Sequence, residues 1–105
     1  MKDAEKLLKE QDYLQASEKF WGAAAEITEA LASRTNKEIR THAQMWEFVG
    51  DLDRKHPKLN LYNDFVFASY LHANFYEDDL PATVVQRGAE TVRSYVRKLE
   101  KLIQE

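Results

Sequence analysis

An all-α fold is predicted for this chain: an up-and-down helical bundle of four main helices plus a short N-terminal one. Three observations carry that expectation. Apolar residues recur at helical spacing along nearly the whole sequence. Only three Gly and two Pro are present, too few for the frequent turns of an all-β fold. Apolar residues make up 44% and charged residues 31%, too apolar a balance for a disordered chain. At 105 residues the chain is expected to be one domain, 1–105. It is expected to bury roughly two-thirds of the surface its unfolded form exposes.

The first helix is short, with Ala4, Leu7 and Leu8 as its apolar stripe and Gln11-Asp12 as the interruption. Asp12 and Gln15 have the spacing of a capping box, which opens a second helix from Tyr13 to about Ser33. Its apolar face holds Ala16, Phe20, Ala23, Ala24, Ile27, Ala30 and Leu31, widened by Trp21 and Thr28. Gln15, Glu18, Gly22, Glu26 and Glu29 make its wet face, and Gly22 among alanines suggests close helix packing. Thr35 and Glu38 repeat the capping spacing and predict the start of a third helix, carried by Ile39, Ala43, Trp46, Val49 and Leu52. His56-Pro57 ends it, because proline disfavours a helical residue before it.

A fourth helix is predicted from about Asn60 to Tyr76, with Leu61, Phe65, Ala68, Leu71, His72 and Phe75 along one side. Asp79 is the expected cap of the fifth, about Leu80 to Gln104, with Pro81 in its first turn. There Val85, Ala89, Val92, Val96, Leu99 and Ile103 alternate steps of four and three, as a heptad seam does. The length of that seam, with the wide face around Phe20, Trp21 and Ile27, predicts a homodimer.

Composition excludes several classes of function. With no cysteine, disulfides, zinc–thiolate sites and a cysteine nucleophile are out. No apolar run approaches the ~20 residues that span a bilayer, and the N-terminus has no secretory pattern. No membrane association and a cytoplasmic location are therefore expected. The net charge of −3 gives no global basic bias for nucleic acid. The charge is uneven, however. Residues 59–80 contain no Lys or Arg, against four acids, whereas 34–58 contain six basic residues and 81–105 five. No cofactor, metal site, Ser-His-Asp arrangement or glycine-rich phosphate loop is indicated. A shift of about 34 residues finds no second copy of the Tyr13–Ala23 pattern, which argues against a peptide-binding tetratricopeptide solenoid.

Two stretches resemble one family. Ala16-Ser17-Glu18-Lys19-Phe20-Trp21-Gly22-Ala23-Ala24, with Ile27 and Ala30-Leu31-Ala32, is similar to a helix of the archaeal PaREP family. Leu71-His72-Ala73-Asn74-Phe75-Tyr76-Glu77 resembles that family's second signature, and the likeness runs from about Ala4 to Val96. The resemblance implies a small helical protein of HEPN-like type, a superfamily of bundles that commonly pair as dimers and include ribonucleases. Those ribonucleases carry an Arg followed after four to six residues by a His. Here Arg34 and His42 have seven residues between them, and Arg40–His42 and Arg54–His56 are only two apart. The chain lacks the nuclease motif, so the resemblance implies a fold and contact with a nucleotide or RNA, and no catalytic residue.

The expected function is a non-catalytic, dimerising helical module that contacts a nucleotide, RNA or protein partner. The alternative is a metal-independent ribonuclease using His72. The candidate ligand-binding residues are His72, Asn74, Tyr76 and Glu77. His72 and Tyr76 are one turn apart, each with an apolar body and a polar tip suited to stacking on a base. Asn74 falls on another side of the same helix. His42 and His56 read as surface residues, and Arg93, Arg97 and Lys101 as either a solvated stripe or a phosphate-contacting ridge.

Overall fold

Local chemistry sets where each helix begins and ends. A computed structural model describes all 105 residues, and it is all-helical. Its helices are α1 (Lys2–Lys9), α2 (Tyr13–Arg34), α3 (His42–Lys55), α4 (Leu61–Glu77) and α5 (Ala82–Gln104), with a 3-10 turn at Pro57–Leu59. The α1 helix stops where Gln11 turns left-handed at φ 64°; the Gln11 and Asp12 N–H groups then bond back to Leu8 and Leu7. Asp12 accepts the Gln15 N–H at 3.2 Å and opens α2.

Two boundaries differ from the sequence expectation. Thr35 does not start α3. It closes α2, its hydroxyl donating to the Ala32 carbonyl at 2.9 Å, while Asn36 at φ 59° lets the Lys37 N–H reach the same carbonyl. A left-handed Asn after a helix end captures the orphan carbonyls, which outcompetes a new helix start at Thr35. The start falls at Thr41 instead, whose hydroxyl accepts from Gln44 N–H while the Gln44 side chain accepts from Thr41 N–H. Asp79 likewise caps nothing. Pro81 holds the N-cap position of α5 with no side-chain cap, its φ of −60° being fixed by its ring.

The α2 helix is the central element, packed on α5, α4 and α1, while α3 leans mainly on α4. At 23 residues α5 is ~35 Å long, close to the 37 Å long axis of the whole chain. Its Val85, Ala89, Val92 and Leu99 are completely buried, as are Phe20, Phe65, Leu61 and Leu71. The seam of α5 and the Phe20–Trp21 face are thus largely covered by this chain's own helices. Gly88 of α5 lies close against α4, where a Cβ would come within 2.7 Å of Leu71 Cδ2. At Gly22, the glycine expected to serve close packing, nothing lies within 4 Å of a Cβ.

Two of the polar ties between helices lie on α5. Arg93 of α5 donates twice to Glu5 of α1, at 2.6 and 2.7 Å, and its guanidinium lies 5.7 Å from the Phe20 ring centre. The hydrogen bonds from Arg93 hold the Glu5 carboxyl below its ordinary value of 4.5, and those to Glu5 raise the guanidinium. In the core, Tyr95 OH and Thr28 Oγ1 meet at 2.7 Å, and Thr28 Oγ1 donates to the Ala24 carbonyl at 2.7 Å. With its own proton committed, Thr28 accepts from Tyr95.

Burial pushes the Tyr95 phenol well above its ordinary 10.0, against a smaller lowering by Thr28. The folded state therefore keeps the proton longer than the unfolded one. Stability from this group is complete below pH 10.0, and it falls as pH rises toward the folded value because the unfolded phenol ionises first. Tyr95→Phe should lose ~1 kcal/mol near neutrality and fall less steeply than wild type above pH 10.0. Urea unfolding at neutral and alkaline pH checks this; parallel pH profiles would contradict it.

Candidate functional site

The surface around His72 is assembled from three helices. His72 sits on the side of α4 that faces α2, and its Nδ1 lies 2.9 Å from Glu18 Oε1. Its ring stacks on the Trp21 indole, with centroids 5.1 Å apart and planes 26° from parallel. Glu18 and Trp21 are three residues apart on α2, so one helix face supplies both contacts. From the first turn of α3, His42 closes in edge-on, 6.0 Å from His72 and 6.2 Å from Trp21. Tyr76, one turn along α4, stands edge-on to His72 at 5.5 Å. Trp21 is rigidly backed: Phe65 lies 5.4 Å beneath it, and Trp46 meets Phe65 at 4.7 Å.

Burial grades the rings. Trp21 and Phe65 belong to the core, His72 is half-buried, and Tyr76 is 72% exposed. Pairing with a carboxylate assigns the His72 proton to Nδ1 and leaves Nε2 as the free nitrogen. A hollow of about 590 Å³ borders the same Glu18–Trp21 edge, lined also by Met1, Lys2 and Gly22. Gly22 thus opens the surface beside Trp21 rather than drawing two helices together.

Of the four residues expected to bind a ligand, the structure brings His72 and Tyr76 together and separates the other two. Asn74 is 2% exposed. Its amide donates to Ser17 Oγ at 3.0 Å, and its carbonyl accepts the Leu80 N–H at 2.8 Å. Ser17 in turn donates to the Tyr13 carbonyl at 2.8 Å. Asn74 is a buried link between α2, α4 and the turn into α5. Glu77 is exposed at the end of α4, where Asp78 turns left-handed at φ 50°.

Glu18, Trp21 and His42 were not among the expected site residues. The i, i+3 spacing of Glu18 and Trp21 was the available signal, but nothing in sequence ties Glu18 to a residue 54 positions away. His42 is exposed, as expected of a surface residue, and its ring stands edge-on to Trp21 and His72. No group of three or more His, Asp or Glu gathers closely enough to hold a metal ion. No helix is long and apolar enough to cross a membrane.

No curated protein and no solved structure shows a significant match to this chain. The profile of the archaeal PaREP1/PaREP8 family matches residues 1–96. The chain belongs to that family.

Proposed function

We propose that this PaREP1/PaREP8 family member is a non-catalytic helical module that binds a planar, base-like group on the rings of His42, His72 and Tyr76. The observation that carries the reading is the row of rings itself. Tyr76 is held out at 72% exposure but braced against His72, which is fixed by Glu18 and stacked on a core tryptophan. A ring fixed before binding, as His72 is by Glu18 and Trp21, loses little entropy on stacking a ligand. The carboxylate of Glu18 fixes His72 in this row, and α4 ends in Glu77-Asp78-Asp79. Such carboxylates accept from the amino groups of a nucleobase, the part of a nucleotide that the rings would stack on.

A HEPN-like up-and-down arrangement, a cytoplasmic setting and a homodimer belong to the same proposal. The connections of three to seven residues between helices favour antiparallel neighbours. The dimer is supported by α4. Its outward face carries Tyr62, Asn63, Val66, Tyr70 and Ala73, with no charge before Glu77, and Tyr70 is 59% exposed. An uncharged face with two large exposed rings, Tyr62 and Tyr70, suits an interface.

One observation favours a second reading, metal-independent RNA cleavage. His42 and His72 lie 6.0 Å apart, close enough for one imidazole to take the proton of a ribose 2′-OH as it attacks phosphorus. The other would then protonate the departing 5′-oxygen. Native mass spectrometry of the purified protein tests the leading reading. The expected spectrum shows twice the 12.3 kDa chain mass, with a retained nucleotide that a Tyr76→Ala variant releases. A bare single chain at micromolar concentration, or RNA cleavage that His72→Ala abolishes, would overturn it.

A further inference from the structure

A second site, remote from the rings, lies between the end of α3 and the C-terminal half of α5. Its walls are Lys55–Leu59 on one side and one face of α5, from Ser94 to Glu105, on the other, enclosing about 670 Å³. Lys55, Lys58, Arg97, Lys98 and Lys101 line it, five of the chain's 15 basic residues, against the single lining carboxylate of Glu105. Lys98 is already committed, donating to the Leu59 carbonyl at 2.6 Å and to Asp64 at 2.7 Å. That bond pins the 3-10 turn to α5 and fixes the distance between the walls. The other four cations take part in none of the chain's ion pairs.

Four unpaired cations facing one cleft, in a chain of net charge −3, repel one another and have no internal counterion. Helix ends account for part of the cluster. Lys55 closes α3 and Lys101 lies in the last turn of α5, where cations complement the helix dipole. Arg97 lies about two turns before the end of α5 and has no such reason. Arg93, the third member of the expected stripe, is taken by Glu5 and stays out.

We propose that this cleft holds the phosphate backbone of a single-stranded nucleic acid. The cations are spread along two walls, Arg97 and Lys101 being ~6 Å apart along α5, so they match charge distributed along a strand. A compact anion is a poorer fit. The helix ends here are C-termini, which present carbonyls where such an anion needs N–H donors. An acidic peptide would want apolar anchor pockets, and the cleft offers little beyond Leu59 and Leu102. The inference does not rest on the rings of His72 and Tyr76.

Fluorescence anisotropy with a short, labelled, mixed-sequence single-stranded RNA tests it. Binding should weaken with salt, with a log–log slope of about −3 for four phosphate contacts. An Arg97→Glu/Lys101→Glu variant, both positions being exposed, should bind about tenfold or more weakly and roughly halve that slope. Should that variant fail to fold, Lys58→Glu in the 3-10 turn serves, with a smaller loss in the same direction. A His72→Ala/Tyr76→Ala variant should keep the wild-type salt slope, because it removes no phosphate contact, so the two sites fail separately. The proposal is overturned if the wild type binds no RNA or if the charge reversals leave affinity unchanged. It is equally overturned if inorganic triphosphate or polyglutamate competes as well as an unlabelled strand.

Discussion

Phe65→Ala is expected to destabilise the fold by ~3–5 kcal/mol, the usual cost of emptying a large aromatic site in a core. Phe65 is completely buried, where Trp21, Trp46 and Tyr95 converge, at centroid distances of 5.4, 4.7 and 5.9 Å. Those neighbours come from α2, α3 and α5, all rigid helices, so the cavity has little means of collapse. Against a total stability of ~5–15 kcal/mol, the loss is large, and the melting temperature should drop by roughly 15–35 °C. The effect reaches the candidate site, because Phe65 supports the tryptophan on which His72 stacks. Circular dichroism during thermal and urea unfolding measures it. A loss below about 1 kcal/mol would mean that these rings do not pack as described.

Asn74→Ala should give the next largest effect, ~1–3 kcal/mol, whereas Tyr76→Ala should stay within about 0.5 kcal/mol of wild type. Removing the Asn74 amide strands the half-buried Leu80 N–H and takes away the donor to the buried Ser17 hydroxyl. Removing the Tyr76 ring exposes part of His72 and leaves no polar group unpaired. The two residues are two positions apart in one motif, yet one holds the fold and the other faces solvent. Equal melting temperatures for the two variants would contradict that division.

That pair also shows how far the sequence could be read. Periodicity identifies the core because burial and helical spacing are the same fact: Phe20, Leu61, Phe65, Val85, Val92 and Leu99 are all completely buried. Helix starts are harder, since Thr35-x-x-Glu38 and Thr41-x-x-Gln44 both have the capping spacing. Asn36, turning left-handed to close α2, decides between them. His72 and Tyr76 were recognisable from their i, i+4 spacing alone. Glu18, Trp21 and His42 were not, because their roles depend on how α2 and α3 lie against α4. The basic cleft was half visible as the Arg97–Lys101 stripe. Its other wall, Lys55 and Lys58, comes from 39 or more residues earlier in the chain.

The central claim, a ring surface that binds a planar group without chemistry, is tested most directly by NMR. Nucleoside monophosphates and a short single-stranded RNA would be titrated while the imidazole signals of His42 and His72 and the indole N–H of Trp21 are followed. Shifts centred on these three residues, lost in Tyr76→Ala, with the RNA recovered intact, are the predicted result. Unmoved ring signals at saturating ligand, or RNA cut by wild type and spared by His72→Ala, would contradict it.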